Sequence, residues 1–511
     1  MKLLEPTTPA LVTSSPRPRS TTRPDSRTAA EGWPVTILGV PFDNVTLDGA
    51  VARIGAMIAT RRPHYVATAN MDFLVQARAD VELRRILLEA DMVLCDGTPL
   101  VWASRLLGNP LRERVAGADL VPALIQEAAL KHHRVFLLGA GAGVAAHAAE
   151  RLHRQHPSLI ICGHYSPPFS ALLEMDHEEA ADRIREARPD LLFVSFGCPK
   201  QEKWIAMHYR TLGVPVVIGV GASLDFLADR VRRAPRWMQR SGLEWGFRLM
   251  QEPRRLFKRY ANDVVRFAPA MTTQWINLMP RPAPFMRRPD HRVVFTAATW
   301  IQVWATEALT VHALKKSAAF WHEAMQHARH CLLDLSLVRA IDSTGIALLG
   351  RWRQRLHAQG QQLILISPSA EVRRALGQLQ LEDHFPIAVN WAEAQGLIKA
   401  TQHHKRPVSL NGSPRPLSWS GEVTAENTEE VWKLTLDLIR SLGTRNVTVL
   451  IDLAQVRFID SSGVGLMLRI MNWARQQGTE VRFTDPTPDV LNVLQLTRLD
   501  HLLLHNATNA N

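Results

Sequence analysis

Asp96 closes an apolar run, Met92-Val93-Leu94-Cys95, and is followed at once by Gly97-Thr98-Pro99 and a helix-like stretch from Leu100 to Leu107. That order reads as a buried strand, a tight turn and a helix packed back on the sheet. Ligands of open α/β sheets sit in the crevice beyond the carboxyl ends of strands, which makes Asp96 a carboxylate at the mouth of a cleft. The competing reading, favoured by spacing alone, is a turn residue whose side chain caps its own backbone. Thr68 and Asn70 end a similar apolar run and, two positions apart, share one side of an extended chain. Val135 to Leu138 leads into Gly139-Ala140-Gly141-Ala142-Gly143 and a helix start. Gly139 and Gly141 let an anion approach amides at a helix N-terminus. The spacing is not G-x-G-x-x-G, and the next strand ends in Gly163-His164-Tyr165 without an acid for a ribose. A phosphate or nucleotide is expected there, and a nicotinamide cofactor is not. Arg114, ahead of a helix that Asp119 would cap, either projects toward an anion or is a solvated loop arginine. Gln201, Glu202 and Lys203 follow the run Leu191–Phe196 and suit a uracil or ribose site, against a plain helix start with surface charges.

These residues need a sheet to hold them at one edge. Strand-like runs at Tyr65–Ala69, Met92–Cys95, Val135–Leu138, Leu159–Cys162, Leu191–Phe196 and Val214–Gly219 alternate with helical stretches such as Asp119–His132, Val144–His153 and Glu178–Ala187. The rhythm predicts an α/β fold, a Rossmann-like and mostly parallel sheet with helices on both faces, over residues 35–229. Residues 1–34, rich in Pro, Ser, Thr and Arg, read as a disordered tail. Residues 280–290, holding Pro280, Pro282 and Pro284, read as a linker. Beyond it Leu333-Asp334-Leu335, Ile341-Asp342-Ser343-Thr344-Gly345, Gln359-Gly360 and Ser367-Pro368 recur as Ile451-Asp452-Leu453, Ile459-Asp460-Ser461-Ser462-Gly463, Gln477-Gly478 and Asp485-Pro486, at a constant offset of 118 residues. One offset held through four signals means two copies of a small α/β domain, 291–400 and 416–506, joined by a linker at 401–415.

Charge is concentrated in one place. The chain carries a formal +12, and Arg230 to Arg266 alone holds eleven Lys or Arg against three acids. Arg254 to Phe267 sets Leu256, Phe257, Tyr260, Ala261, Val264 and Val265 at helical spacing among basic residues, with Trp237, Trp245 and Phe247 upstream. Residues 230–279 therefore read as a basic amphipathic appendage for a membrane surface, with Arg232, Arg236, Arg240, Arg248, Arg254 and Arg255 facing lipid headgroups or a lipid diphosphate. A helix packed on the sheet with a solvated basic face is the alternative. No aromatic-basic ribbon points to nucleic acid. No apolar stretch reaches the roughly 18 residues of a membrane span. Four scattered cysteines without C-x-x-C spacing fit reduced thiols in a cytosolic protein better than disulfides or zinc.

The segments Thr68-Ala69-Asn70, Cys95-Asp96-Gly97-Thr98-Pro99-Leu100-Val101-Trp102, Glu113-Arg114-Val115-Ala116-Gly117-Ala118-Asp119, Leu137-Leu138-Gly139-Ala140-Gly141-Ala142-Gly143 and Phe196-Gly197-Cys198-Pro199-Lys200-Gln201-Glu202-Lys203-Trp204 occur in the order that resembles the WecG/TagA/CpsF glycosyltransferases. The resemblance implies an inverting hexosyltransferase that moves an N-acetylmannosamine-type sugar or glucose from a UDP-sugar to a polyprenyl-diphosphate-linked saccharide. It would act in bacterial exopolysaccharide or envelope glycan assembly, at the inner face of the cytoplasmic membrane. Asp96 matches the family's proposed base, and Thr68 and Asn70 its active-site pair. UDP-sugar is then a substrate and not a cofactor. No Asp-x-Asp occurs in the sequence, so metal-independent transfer is expected, with no metal ligands assigned. The repeated copies resemble STAS domains, the anti-anti-sigma-factor fold, which implies regulation or docking of a protein partner. Ser343 and Ser461 match the serine that is phosphorylated in kinase-responsive members, although Asp-Ser-Ser-Gly is also a good helix cap. The rival reading from another class is a non-catalytic UDP-sugar sensor signalling through the STAS pair to a kinase or sigma-factor system.

Overall fold

The computed structural model describes residues 32–231, 233–240, 244–278, 292–297, 300–305, 308–402, 408–410, 417–441 and 448–504. The 280–290 linker, most of the 401–415 linker and the tail up to residue 31 lie outside the described residues. Strands β1 (Gly32–Ile37) and β2 (Val40–Asn44) form an antiparallel hairpin turning at Leu38-Gly39, whose φ angles are 48° and 89°. Residues 32–34, read as tail, are thus strand: Trp33 lies 5.1 Å from the His322 ring, so a partner remote in sequence orders it.

Six strands follow: β3 (His64–Ala69), β4 (Met92–Cys95), β5 (Arg134–Gly139), β6 (Ile160–Tyr165), β7 (Leu191–Ser195) and β8 (Val216–Gly219). They form one all-parallel sheet in the order β4-β3-β8-β7-β5-β6. Alternate side chains enter two cores: Tyr65, Val93, Leu138, Val194 and Val217 one, Val66, Leu94, Leu137, Phe193 and Ile218 the other. Burial on both faces is why the runs of β3, β4, β5, β7 and β8 are continuously apolar rather than alternating, while β6 at the edge stays half-exposed. The helix after β3, Met71–Ala77, packs on the first face, and the helix after β8, Ser223–Leu227, on the second. The same divergence separates Val144–Gln155 after β5 from Lys200–His208 after β7. Each divergence opens a crevice at the carboxyl edge of the sheet.

The basic appendage is helical: Arg236–Arg240, Glu244–Gln251 and the 26-residue Pro253–Leu278. Its long helix buries Leu256, Asp263, Phe267, Met271, Gln274 and Leu278, which recur three, four or seven positions apart on one face. Phe257, Val264 and Val265, expected on the same apolar face as Leu256, are exposed instead. The apolar residues therefore split between a face that packs on the Met71–Ala77 helix and a face left to the outside.

The first copy holds β9 (Arg292–Ala297), β10 (Trp300–Trp304), β11 (Ala308–Leu309), β12 (His330–Asp334), β13 (Ala340–Ile341), β14 (Leu363–Ile366) and β15 (Ile387–Ala388), with a main sheet in the order β15-β14-β12-β10-β9. The second holds β16 (Val408–Leu410), β17 (Leu417–Val423), β18 (Thr448–Ile459) and β19 (Glu480–Thr484), in the order β16-β17-β18-β19. Val408–Leu410, assigned to the linker from sequence, pairs antiparallel with β17 as an edge strand. The repeat is exact in its chemistry at one point. Asp342 Oδ1 accepts from Thr344 N and Gly345 N at 2.8 and 3.0 Å, and Asp460 Oδ1 accepts from Gly463 N at 2.9 Å. The other oxygens take Val311 N at 2.7 Å and Ala425 N at 2.9 Å. A Cβ at Gly345 would lie 2.0 Å from Leu309 O and one at Gly463 would lie 2.6 Å from Val423 O, so only glycine fits.

Neither copy hangs free of the first domain. The Ser343–His357 helix lies on the β1–β2 hairpin, and its buried Arg351 donates to Ala90 O at 2.7 Å, Pro41 O at 2.8 Å and the carboxylate of Asp43. Leu88 and Leu278 belong to the core of the first copy. The first copy is therefore docked on the first domain through buried polar and apolar contacts. Replacing Arg351 by Met leaves the Ala90 and Pro41 carbonyls without its donors and takes one of two cations from the buried Asp43, whose oxygens keep Val93 N and Arg53. It should lower the unfolding free energy by about 3 kcal/mol, within the range for a broken buried ion pair. Urea titration of the full chain reads this, and a midpoint equal to the parent's would mean that the helix does not dock there.

Candidate active site

Asp96 follows β4, and its backbone N–H donates to Ala69 O at 2.9 Å across to β3. The carboxylate does not cap its own turn: the Thr98–Leu106 helix begins at Gly97 with no side-chain cap. One oxygen, Oδ2, takes a long 3.5 Å contact from Gly117 N, and the other meets no donor among the described residues. Burial raises its pKa above the ordinary value, against the opposing pull of Arg114 and Arg248. A half-buried carboxylate with a free oxygen and a raised pKa is equipped to accept a proton.

Thr68 and Asn70 flank it with different tasks. Thr68 is buried, and its hydroxyl donates to Gly219 O at 2.8 Å, tying the ends of β3 and β8 together. Asn70 caps the Met71–Ala77 helix by accepting from Phe73 N at 3.3 Å. Its Cβ lies 3.7 Å from where a Cβ on Gly97 would be, so its amide stands beside the Asp96 turn. Both residues stand where the sequence put them, at one strand end.

Arg114 is not available to an anion in the way its position suggested. Its two terminal nitrogens donate to Glu244 Oε2 and Asp119 Oδ2, each at 2.9 Å. Arg233 completes the network, donating to Asp119, to Glu244 Oε1 at 3.3 Å and to Ala118 O at 3.1 Å. Asp119, expected as an N-cap, lies inside the first turn of Gly117–Lys131, where Ala116 is the cap position. Two arginines and two acids thus staple the appendage to the helix that begins beside Asp96. Arg248 stays outside this network, with its guanidinium 4.8 Å from the Phe226 ring centre.

Gln201, Glu202 and Lys203 are all buried and do not line the open cleft. The Gln201 Oε1 accepts from Gly197 N at 3.2 Å and Gly221 N at 3.1 Å, bracing the turns after β7 and β8. Glu202 lies under it, taking Gln201 Nε2 at 2.6 Å, and burial pushes its carboxyl up to about 7. Lys203 turns away to Asp80 and Glu82, 2.8 Å from each. The charged run reads as a binding edge in sequence because periodicity does not reveal which side of a short helix faces inward.

Gly139 has φ +99°, and a Cβ there would lie 2.6 Å from Ser195 O, so β5 and β7 approach through it. Gly141 is exposed, and a Cβ on it would lie 3.3 Å from a terminal nitrogen of Arg230. Ser166 donates to Gly139 O at 2.8 Å, bringing in the loop after β6. That loop presents a fully exposed Phe169, with Lys200 Nζ 5.8 Å from its ring centre and 2.7 Å from Ser170 O. Arg230 and Phe169 escape a sequence reading; an aromatic between Pro-Pro and Ser is the only signal of the second. Arg232 lies outside the described residues, as do the side chains of Arg236, Arg240 and Arg255, and Arg254 is exposed at the start of the long helix. Ser343 and Ser461, the phosphorylation candidates, are both fully buried against the first domain.

Comparison with known proteins agrees with this layout. The family description Glycosyl transferase WecG/TagA/CpsF matches residues 35–281, STAS domain matches 301–394, and Mlab, STAS domain matches 408–505. The N-acetylglucosaminyldiphosphoundecaprenol N-acetyl-beta-D-mannosaminyltransferase of Staphylococcus aureus strain MW2 is 32% identical over 224 residues, covering 43% of this chain and 86% of that protein. The enzyme of the same name from Bacillus spizizenii is 37% identical over 191 residues, covering 37% of this chain and 72% of its own. Among solved structures, an anti-sigma-factor antagonist (STAS) domain protein from Planctomyces limnophilus aligns at 23% identity and a TM-score of 0.20, over 21% of this chain and 97% of its own. The chain belongs to the WecG/TagA/CpsF glycosyltransferase family and is an enzyme of that family carrying two C-terminal STAS domains.

Proposed function

We propose that this glycosyltransferase moves an N-acetylmannosamine-type sugar or glucose from a UDP-sugar to a hydroxyl of a polyprenyl-diphosphate-linked saccharide, with inversion, in envelope or exopolysaccharide glycan assembly. The observation that carries the reading is the free, desolvated oxygen of Asp96 beside Asn70 at the carboxyl edge of the sheet. Asp96 takes the acceptor's hydroxyl proton while the acceptor oxygen bonds to the anomeric carbon and the bond to UDP breaks, its electron pair leaving with the diphosphate. Among the described residues, Arg248 and Arg230 are guanidinium groups placed to receive that charge, and the exposed Phe169 offers a face for the uracil ring. The names of the relatives supply the acceptor class and the sugar.

The acceptor lipid brings in the membrane. No helix among the described residues is long and apolar enough to cross one. Peripheral association is supported by exposed Trp237, Trp245, Met250, Phe257 and Val265 on the basic appendage. The STAS pair serves regulation or docking in this reading. Because Ser343 and Ser461 are buried, a kinase reaches either only after the modules leave the transferase.

Asp96→Asn should cut turnover by at least about 100-fold, the scale of a lost general base, while calorimetric affinity for UDP changes less than about twofold. Equal loss of both would make Asp96 a structural residue. In the parent the base must be ionised. The raised pKa therefore places the acid limb of the kcat/KM profile above the ~3.9 of an ordinary aspartate, with activity rising as pH climbs through it. A profile flat down to pH 4 would remove Asp96 from the base role. Phe257→Glu with Val265→Glu, both at exposed sites, should reduce co-sedimentation with phosphatidylglycerol vesicles about tenfold at unchanged thermal stability. Undiminished binding would take the membrane contact away from this helix face.

A further inference from the structure

The second STAS helix begins on a side chain of the transferase. Ser461, with no exposed surface, gives both its backbone N–H and its hydroxyl to the carboxylate of Glu82, the hydroxyl reaching Oε2 at 2.8 Å. Lys203 Nζ lies 2.8 Å from that same oxygen and 2.8 Å from Asp80 Oδ2. One ammonium thus faces two buried carboxylates. The two donors of Ser461 satisfy what Lys203 alone leaves open on Glu82. Further negative charge is unwelcome there: burial, reinforced by repulsion from Glu82, already pushes the carboxyl of the neighbouring Asp460 up to about 7.

Lys203 shares the first turn of the Lys200–His208 helix with Gln201. Gln201 is the residue whose Oε1 holds the amides of Gly197 and Gly221, in turns with φ of +78° and +52° at the carboxyl ends of β7 and β8. Ser195 closes the same corner by donating to Gly221 O. Gly219 O, two residues before that turn, takes Thr68. A rigid helical turn therefore joins a contact made by the STAS module to the amides that shape the crevice floor.

We propose that Ser461 is a positioning residue for glycosyl transfer, acting through Glu82, Lys203 and Gln201 on the Gly197 and Gly221 turns of the donor cleft. The transferase is then complete only while its own second STAS module is docked. A protein that captured the N-terminal end of the Ser461–Gln476 helix would compete with Glu82 and loosen the cleft. The proposal rests on the donor site argued above.

The test is hydrogen–deuterium exchange on the full chain without ligand, comparing the parent with Ser461→Ala and Ser461→Asp. Segments 196–203 and 219–223 should exchange about fivefold faster in Ser461→Asp, with a smaller effect in the same segments for Ser461→Ala, which retains the backbone donor. Combining Ser461→Ala with Glu82→Gln should add little to the larger single effect, as expected for one shared contact. Faster exchange confined to segments 80–89 and 458–464 would overturn the proposal. In parent protein that binds UDP, Ser461→Asp should also weaken UDP affinity about fivefold. Equal affinity would overturn the positioning role. Exchange needs neither sugar donor nor acceptor, so a parent that transfers no sugar would sink the proposed reaction and leave the coupling intact. A parent that transfers sugar but shows no exchange change would do the reverse.

Discussion

A carboxylate that keeps one oxygen unpaired is the constraint on which the site depends. Asp96 lies near arginines, and a direct guanidinium pair would hold its pKa low and leave it a poor base. The chain avoids this by spending Arg114 and Arg233 on Asp119 and Glu244. These acids keep the cations fixed and neutralised a short distance from Asp96. Desolvation then outweighs the remaining attraction, and the net shift is upward. The same ion network fastens the appendage, so the element proposed to meet the membrane also sets the electrostatics around Asp96, the proposed base.

The fusion of a transferase with two STAS domains is made by buried polar contacts as much as by apolar ones. Gln274 accepts from Leu38 N at 2.7 Å and donates to Thr36 O at 2.8 Å and to Ser343 at 3.0 Å, joining hairpin, appendage and first STAS helix in one side chain. At the meeting of all three parts, Arg85 pairs with Glu89 at 2.9 Å, reaches Glu422 of the second module and stacks 4.3 Å over Phe458. Contacts of this kind add less stability than apolar packing of equal area, but each is costly if misaligned. They therefore select one register between the modules, which loose apolar faces would not.

The two STAS copies illustrate how a short motif can have one structural cause and two surroundings. In each, an aspartate caps the helix and a glycine admits a neighbouring strand's carbonyl. The serine between them is free of those duties, and the chain uses it differently. Ser343 receives a neutral amide, whereas Ser461 donates to a carboxylate. Only the second stands in a charged cluster linked to the cleft.

Much of this was legible in the linear chain. Six apolar runs became the six strands of the parallel sheet, five of them continuously apolar because they are buried on both faces and the sixth, β6, at the half-exposed edge. The constant offset exposed the repeat, and the strand-end residues Thr68, Asn70 and Asp96 were found because a parallel sheet gathers its carboxyl ends at one edge. What sequence could not decide was which polar side chains remain free once packed. Arg114 and Lys203 are paired with acids far along the chain, Gln201 faces inward, and Phe257 faces outward although its spacing matches the buried Leu256. Residue types and spacing determined the parallel sheet, the repeat and the sheet edge at which Thr68, Asn70 and Asp96 stand. Only the tertiary structure selected the partners, since a buried charge is defined by whichever opposite charge the fold brings within about 3 Å of it.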